Sequence, residues 1–289
     1  MKPAPFTYHR PESRAEVDEV LAAHGGEAKL LAGGQSLVPM LNFRLATPEH
    51  VVDVNHLRDE PREPAEDDGS VTFGPLVRQD VAESSPLVTS HLPLAAEALG
   101  YVAHPAIRSR GTVVGSIAHA DPAAELPAVL VALGGWVAAR SRRGRRTIAA
   151  GDLYTGLFET ALGEDEWIEE VRIPALGRGQ GCAFEEYAQR RGDYGLCGVA
   201  ARAELRSGGV SVSLAYLGMG PVPVSAELEE MPARDVPEIR LEEAVAGAVA
   251  RLDDPPGDVH ATAGFRRMLA RKLGVRAARR ALQVARARS

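Results

Sequence analysis

The run KLLAGGQSLVPM at residues 29–40 constrains this chain more than any other segment. Its apolar stretch is interrupted by Gly33 and Gly34, and an amphipathic segment begins at Leu37, which predicts a strand, a tight turn and a helix start. Glycine tolerates positive φ and allows close backbone approach, while free N–H groups at a helix start attract anions. Residues 32–36 are therefore predicted to form an anion-binding loop.

A second run of the same kind, RGTVVGS, occupies residues 110–116. A single glycine pair is more often an ordinary strand–helix turn. Two loops that combine glycine with a terminal serine can hold one pyrophosphate from two sides, which indicates a dinucleotide. Neither a Rossmann fingerprint nor a P-loop lysine is present, since GMG at residues 218–220 runs into prolines.

Composition excludes several classes of protein. A formal charge of -6 argues against general nucleic-acid binding, and no apolar run approaches the roughly 18 residues of a membrane span. The N-terminus lacks the apolar core of a secretory signal, so we predict a cytoplasmic protein. Cys182 and Cys197 are too few for an iron–sulfur cluster, and we expect reduced thiols on neighbouring strands. Metal redox chemistry must then come from a partner.

The hydrophobic pattern and the turn residues place the remaining elements. After a helix that starts near a capping box at residues 13–16, the predicted elements are a helix over 37–45, a strand over 51–54, a solvated loop over 59–68, a strand over 71–73, helices over 92–102 and 122–133, an arginine-tipped hairpin over 136–148, a strand over 166–173, strands over 183–189, 197–205 and 210–217, and helices over 241–252 and 262–285. The glycine-rich segment 175–181 predicts a domain boundary.

Motifs spread along nearly the whole chain identify a family. They are FTYHRP at 6–11, AGGQSLVP at 32–39, RLATPE at 44–49, IRSRGT at 107–112 continuing to Ser116, ADP at 120–122, RGDYG at 191–195 and FRRML at 265–269. Together they resemble the FAD-binding medium subunit of molybdenum hydroxylases, the family of carbon monoxide dehydrogenase and xanthine dehydrogenase.

The resemblance implies an α+β fold. A two-part FAD-binding domain of the vanillyl-alcohol-oxidase (PCMH) type would span residues 1–176, with α/β subdomains at about 1–55 and 56–176. An α+β flavoprotein domain of antiparallel three-stranded sheet plus helices would follow over 177–289.

The resemblance also implies FAD contacts. The implied cofactor-binding residues are Lys29, Ala32, Gly33, Gly34, Gln35, Ser36, Ile107, Thr112, Val113, Val114, Gly115, Ser116, Asp121, Ile173, Asp193 and Tyr194. The two glycine loops would bind the pyrophosphate, Lys29 would lie toward the adenosine, and Asp121 toward a ribose or the flanking loop. Ile107 would contact the flavin ring, and Ile173, Asp193 and Tyr194 would approach it from the other domain. No catalytic residue and no metal ligand is assigned.

One residue departs from the family pattern. The second loop of the family usually reads TVGGS, and here Val114 replaces its first glycine. A β-branched residue is poorly suited to positive φ. We therefore expect ordinary β geometry at Val114, with Gly115 alone critical, and weakened FAD binding is the alternative.

The implied function is electron transfer. The chain would be the FAD-carrying subunit of a molybdenum hydroxylase, an oxidoreductase whose iron–sulfur small subunit and molybdopterin large subunit complete a heterotrimer or a dimer of heterotrimers. The electron acceptor would be NAD, a quinone or oxygen. Two alternatives remain: a stand-alone FAD-dependent oxidase or dehydrogenase with its own substrate, and a scaffold or assembly module that has lost FAD.

Three further features have ordinary structural interpretations. His119 and Asp121 could form a metal pair, but a hydrogen bond that orders the loop is favoured. The arginines at 140–146 are interpreted as a solvated hairpin tip, with docking of a partner subunit as the alternative. The basic terminal stretch from Gly264 suits a helix C-terminus, with an interface as the alternative.

Overall fold

A small parallel sheet forms the first part of the molecule, in a computed structural model that describes residues 2–232 and 236–289. Its strand order is β1-β3-β2. The elements are β1 (Thr7–His9), α1 (Arg14–His24), β2 (Ala28–Leu31), α2 (Leu37–Phe43) and β3 (His50–Asp53), with 3-10 turns at Gly25–Glu27 and Val54–His56. The predicted strand, glycine loop, helix and strand are therefore confirmed.

The first helix follows from a local signal. The Ser13 hydroxyl accepts a hydrogen bond from the backbone N–H of Glu16, which caps α1. Val17 and Leu21 then fall on one face of the helix and pack against Val52 of the sheet in a small apolar core.

An antiparallel five-stranded sheet and short helices form the next part, with strand order β4-β5-β10-β6-β7. Its elements are β4 (Ala65–Asp67), β5 (Ser70–Phe73), α3 (Gln79–Ser84), α4 (Pro86–His91), α5 (Pro93–Leu99), α6 (Pro105–Arg108), α7 (Val113–His119), α8 (Glu125–Ala132), β6 (Trp136–Ser141), β7 (Gly144–Ala149), α9 (Ala150–Leu153), β8 (Tyr154–Gly156), β9 (Glu159–Thr160) and β10 (Trp167–Pro174). The segment predicted as a solvated loop over 59–68 in fact contains β4, and the helix α7 was not predicted.

Buried polar side chains of β10 join the two sheets. The indole of Trp167 donates a hydrogen bond to Asp18 of α1 at 2.9 Å. Glu169, only 1% exposed, forms ion pairs with Arg14, Arg140 and Arg145. Arg140 and Arg145 thus pair within the chain, while residues 142–146 are exposed to solvent, as predicted for the hairpin tip. Arg143 and Arg146 also pair within the chain, with Asp165 and Glu166.

The C-terminal part is an antiparallel meander covered by two helices. Its elements are β11 (Gln180–Tyr187), β12 (Cys197–Leu205), β13 (Val210–Leu217), β14 (Val224–Glu227), α10 (Glu238–Ala250) and α11 (Ala263–Ala287). The sheet has four strands in sequence order rather than the three expected, because Val224–Glu227 pairs with β13. The predicted division of the chain after residue 176 stays a prediction, and it falls between the last strand of one sheet and the first of the next.

Both faces of this four-stranded sheet are buried. One face, with Leu214 and Tyr216, packs on α10 and α11. The opposite face, with Phe184, Ala200 and Leu217, joins the core formed by α5 and α8. Ionic contacts reinforce the junction, since Arg280 of α11 pairs with Glu97 of α5 at 2.6 Å.

Small residues bring α11 onto the sheet. A Cβ atom on Gly181 would lie 2.2 Å from both the carbonyl oxygen of Ala281 and the amide nitrogen of Ala285, so the helix backbone rests on β11 at this point. The basic residues of α11 are thus partly engaged inside the chain: Arg276 also pairs with Glu185 at 2.9 Å.

The two cysteines lie on the neighbouring strands β11 and β12, as expected, and both are free and buried. Burial raises the pKa of each thiol to about 12, so neither forms a thiolate readily. No helix in the described part of the chain is long and apolar enough to cross a membrane.

Candidate functional site

The first glycine loop, residues 32–36, leaves the carboxyl end of β2 and enters α2. Gly34 has a φ of 73°, a conformation that side chains rarely adopt. The side-chain amide of Gln35 donates a hydrogen bond to the carbonyl oxygen of Gly33 at 2.9 Å, which holds the loop in a tight turn. Ser36 makes no side-chain capping bond to α2, so its hydroxyl is available for a ligand.

The second loop is organised by Thr112. The Thr112 hydroxyl accepts a hydrogen bond from the backbone N–H of Gly115 at 3.0 Å and so caps α7. A Cβ atom on Gly115 would lie 2.6 Å from that hydroxyl oxygen, which explains the glycine. Ser116 follows within the helix and is half-buried.

Val114 does not have the β geometry that the sequence predicted. Val113 and Val114 form the first turn of α7, and both side chains are buried in the core. The φ of Val114 is not positive, so the position does not require glycine. The valine therefore faces the protein interior, and it leaves the backbone of the loop open.

The two loops touch. A Cβ atom on Gly33 would lie 2.6 Å from the carbonyl oxygen of Arg110 and 2.7 Å from the Cα atom of Gly111. A Cβ atom on Gly111 would in turn lie 2.4 Å from the amide oxygen of Gln79. Side chains are thus excluded where the loops meet, and the two runs of glycine form one continuous backbone surface.

Asn55 and Arg78, which the sequence did not single out, bridge the loops. The Asn55 amide donates to the carbonyl oxygen of Ala32 at 2.8 Å, and its own oxygen accepts from Arg78 at 2.5 Å. Arg78 also donates to the carbonyl oxygen of Arg110 in the second loop. Asn55 lies in the 3-10 turn that follows β3, and Arg78 immediately precedes α3, so no local pattern could have revealed the bridge.

A carboxylate fixes the orientation of Asn55. Asp53 accepts hydrogen bonds from the Tyr8 hydroxyl at 2.6 Å and from the Asn55 side chain at 2.6 Å. Partial burial raises the pKa of Asp53, but these hydrogen bonds outweigh it and the pKa is lowered overall. The ionised carboxylate therefore acts as a stable support behind the first loop.

Arginine side chains lie beside the two glycine loops. Partial burial and the neighbouring charges of Arg110 and Arg62 lower the pKa of Arg78, and the nearby carboxylates of Asp80 and Asp53 offset this only in part. Such an arrangement favours a bound anion.

The second domain approaches the same region through residues 191–195. Gly192 has a φ of 87°, and a Cβ atom there would lie 2.5 Å from the ring of His104, just before α6. Asp193 and Tyr194 are exposed beside this contact. Ile107 of α6 is also exposed, at 37%.

Asp121 lies on the same side. Its carboxylate accepts a hydrogen bond from the backbone N–H of Ala123 at 2.9 Å, so it orders the loop before α8. Partial burial and the charges of Asp121 and Glu125 raise the pKa of Tyr194, which places these groups near one another. Tyr194 therefore lies within electrostatic range of Asp121.

Two predicted residues lie apart from these groups. Lys29 is exposed on β2, in a shallow surface depression with Met40, Leu45 and Thr47. Ile173 lies on β10 of the first domain, not on the other domain, and is only 2% exposed in the core. Its side chain is therefore not available to a ligand.

A buried pair of carboxyl groups was also missed. Burial, together with the charge of Asp121, raises the pKa of Glu125 to about 7. Burial and the charge of Glu125 raise the pKa of Glu186 to about 9, and its Oε2 atom has no hydrogen-bond partner among the described residues. Near neutral pH the Glu186 carboxyl therefore keeps its proton, next to the segment that carries Tyr194.

Comparison with known proteins agrees with this geometry. Residues 4–176 match the family described as "FAD binding domain in molybdopterin dehydrogenase", and residues 182–281 match "CO dehydrogenase flavoprotein C-terminal domain". The chain is 37% identical over 295 residues to the 6-hydroxypseudooxynicotine dehydrogenase complex subunit alpha of Paenarthrobacter nicotinovorans, covering 99% of this chain and 97% of the relative. It is 35% identical over 281 residues to the carbon monoxide dehydrogenase medium chain of Hydrogenophaga pseudoflava, covering 96% of this chain and 97% of the relative.

Solved structures agree in shape as well. A chain of carbon monoxide dehydrogenase from Hydrogenophaga pseudoflava superimposes with a TM-score of 0.90 at 34% identity, over 100% of this chain and 99% of that one. The chain belongs to the family of FAD-binding medium subunits of molybdenum hydroxylases, which are oxidoreductases.

Proposed function

We propose that this chain receives electrons from the iron–sulfur clusters of a partner subunit and passes them to an acceptor such as NAD, a quinone or oxygen. The contact between the two glycine loops carries the proposal. It leaves a backbone surface without side chains, flanked by Arg78 and Arg110, as a pyrophosphate requires.

The residues present fit FAD. We infer that Ala32, Gly33, Gly34, Gln35 and Ser36 hold one side of the pyrophosphate, and that Thr112, Gly115 and Ser116 hold the other. Val113 and Val114 serve only as packing behind the second loop, since their side chains are buried. We place Lys29 toward the adenosine, because it is exposed on the strand that leads to the first loop.

Ile107, Asp193 and Tyr194 are the groups that we assign to the flavin ring. They are exposed around the contact between Gly192 and His104, where the two domains meet. Asp121 is assigned to a ribose or to the loop beside it. FAD, when bound, can exchange electrons singly or in pairs, and so it can couple one-electron donors to two-electron acceptors.

We place the electron donor on another chain. This sequence has two cysteines, both buried and with raised pKa, so it cannot ligate a cluster through four thiolates. We therefore propose a complex with an iron–sulfur small subunit and a molybdopterin large subunit, as a heterotrimer or a dimer of heterotrimers. The predicted cytoplasmic location stays a prediction.

Co-purification from the native host tests the proposal. We expect one FAD per chain, released on denaturation, and two further subunits that carry molybdenum and iron. Clusters reduced in the intact complex should be reoxidised by an added acceptor, and this reoxidation should be much slower in a complex depleted of FAD. The rate can be followed by electron paramagnetic resonance of the clusters.

The same experiment separates the alternatives. A chain that binds FAD but purifies without partners, and that oxidises a small molecule, would be a stand-alone enzyme. A chain that joins the complex without any flavin would be a scaffold. Either result would overturn the proposed role.

A further inference from the structure

Three histidines from separate elements converge on the outer edge of the first sheet. The Nε2 atom of His9 lies 2.9 Å from the Nδ1 atom of His50. The ring of His24 stacks on that of His50, with centroids 3.6 Å apart and planes inclined by 22°. One ring nitrogen from each histidine lies within 4.8 Å of the others.

The register of the sheet produces this cluster. His50 pairs with Thr7 in the parallel ladder of β1 and β3, so His9, two residues beyond Thr7, projects from the same face as His50. Val52 shares that face and packs under α1. On α1, His24 follows Val17 and Leu21 at a spacing of seven and three residues, which places it on the same helical stripe. The three histidines therefore lie at the edge of the apolar core that α1 forms with the sheet.

We propose that His9, His24 and His50 form a binding site for a divalent first-row transition metal ion such as Zn²⁺. Imidazole nitrogen is a preferred ligand for Zn²⁺, Cu²⁺ and Ni²⁺. Ligands bound at about 2.0–2.1 Å in a tetrahedral site lie roughly 3.4 Å from one another. One nitrogen from each ring lies within 4.8 Å of the others, and His9 and His50 approach to 2.9 Å, so rotations of the rings would bring the nitrogens to this spacing.

Two carboxylate side chains lie beside His50. Glu27 and Glu49 place oxygen atoms within 4.8 Å of each other and of a nitrogen of His50. A carboxylate in this place can orient the ligating His50 ring through its second nitrogen. Both glutamates are exposed and the three rings are half-buried, so an ion can enter from solvent.

The site lies outside the glycine loops. His50 begins β3 and pairs with Ala28 at the start of β2, whereas the first loop leaves the far end of β2, roughly 10 Å along the strand. A bound ion would join β1, α1 and β3 at the end opposite the loop. The three histidines can therefore be substituted without altering the glycine loops, although Glu27 and Glu49 line the same depression as Lys29.

Metal titration of the full-length, chelator-treated protein tests the proposal. We expect one equivalent of Zn²⁺ by calorimetry, and a visible spectrum typical of tetrahedral nitrogen ligation when Co²⁺ is used as the probe. His50→Gln and His24→Gln should each weaken Zn²⁺ binding by roughly 100-fold or more, since each removes a direct ligand. His260→Gln, at an exposed position far along the chain, is the matched control and should bind normally.

Binding that is absent in the unaltered protein, or unchanged in both ligand variants, would overturn the site. Flavin content and circular dichroism show whether a variant is folded. If His50→Gln fails to fold, His24→Gln decides the question, because it alters only the last turn of a helix. A rise in melting temperature with Zn²⁺ that is lost in His24→Gln would support the site independently.

Discussion

Gly33 packs directly against Gly111, so that a Cβ atom on Gly33 would lie 2.7 Å from the Cα atom of its neighbour. The two residues are far apart in sequence: Gly33 lies between β2 and α2, and Gly111 lies between α6 and α7. Their contact turns two separate glycine loops into a single surface. The first prediction follows from this contact.

Gly33→Ala should weaken FAD binding roughly tenfold or more, because the added methyl group meets the backbone of residues 110–112 and must push the loops apart, at a cost of about 1–3 kcal/mol. FAD titration of the apoprotein, followed by quenching of flavin fluorescence, measures the change. Gly151→Ala is the control, since nothing lies within 4 Å of a Cβ atom there. Equal affinities for the two variants would contradict the contact.

Asn55→Ala should weaken FAD retention by about tenfold, although Asn55 is not expected to touch the cofactor. The change removes the hydrogen bonds that join the carbonyl of Ala32 to Arg78, each contributing about 0.5–1.5 kcal/mol. Asn55→Asp keeps an acceptor for Arg78 but loses the donors to Ala32 and Asp53 and sets its carboxylate against that of Asp53, so its FAD affinity should be no higher than that of Asn55→Ala. An Asn55→Ala protein with unaltered flavin content after gel filtration would argue against this bridge.

Ser36→Ala should lower FAD affinity by about tenfold, because the hydroxyl is free of capping and a hydrogen bond to a charged phosphate contributes about 1.5–3 kcal/mol. Arg143→Ala should leave FAD affinity unchanged, since Arg143 is exposed and pairs with Asp165 on the hairpin. The ratio of flavin to protein absorbance in the purified variants compares them. A similar loss in both would count against the loop assignment.

Glu186→Gln should change the pH dependence of stability. The pKa of Glu186 is raised to about 9 in the folded chain, so the folded state holds a proton that the unfolded state releases above its ordinary pKa of about 4.3. Stability from this group is complete at low pH and is lost as the pH rises toward 9. The free energy of unfolding of the variant should match that of the unaltered protein near pH 5 and exceed it by roughly 2–4 kcal/mol near pH 8.

Urea unfolding of both proteins between pH 5 and pH 8 measures that difference. Other titrating groups are common to the two proteins, so their contributions cancel. Parallel stability curves would show that the Glu186 carboxyl is ionised in the folded chain.

Glu169→Gln should destabilise the fold by about 3 kcal/mol, since it leaves Arg14, Arg140 and Arg145 around a neutral side chain that is deeply buried. Arg143→Ala, which removes an exposed pair, should cost less than about 1 kcal/mol. The midpoints of denaturant unfolding give both losses in free energy, provided that the dependence on denaturant concentration has the same slope in each protein. A loss below 1 kcal/mol for Glu169→Gln would show that the arginines find other partners.

Local patterns predicted most of the elements and both glycine loops. The turn at Gly34 was predictable because apolar residues, glycine and serine follow one another in the chain. The prediction for Val114 was wrong because a local signal was overlooked. Val114 was expected in β geometry because β-branched residues suit strands, but the capping by Thr112 starts a helix there.

Contacts between distant segments could not be predicted. The Asn55–Arg78 bridge, the ion pairs of Glu169 and the convergence of His9, His24 and His50 each join residues from different elements. Each side chain alone is unremarkable in sequence, because polar residues occur at many strand ends. Only the register of β1 with β3, and the packing of α1 on them, brings the histidines together.

The four-stranded sheet is apolar on both faces, and only one of them is covered by its own helices. A chain cut after residue 176 would expose α5 and α8 to water, and the remaining piece would expose Phe184 and Leu217. Neither half is then a self-sufficient folding module. A chimaera of two relatives must therefore take both halves from the same parent. A destabilising substitution in the C-terminal sheet can abolish FAD binding without changing any residue that lines the flavin site.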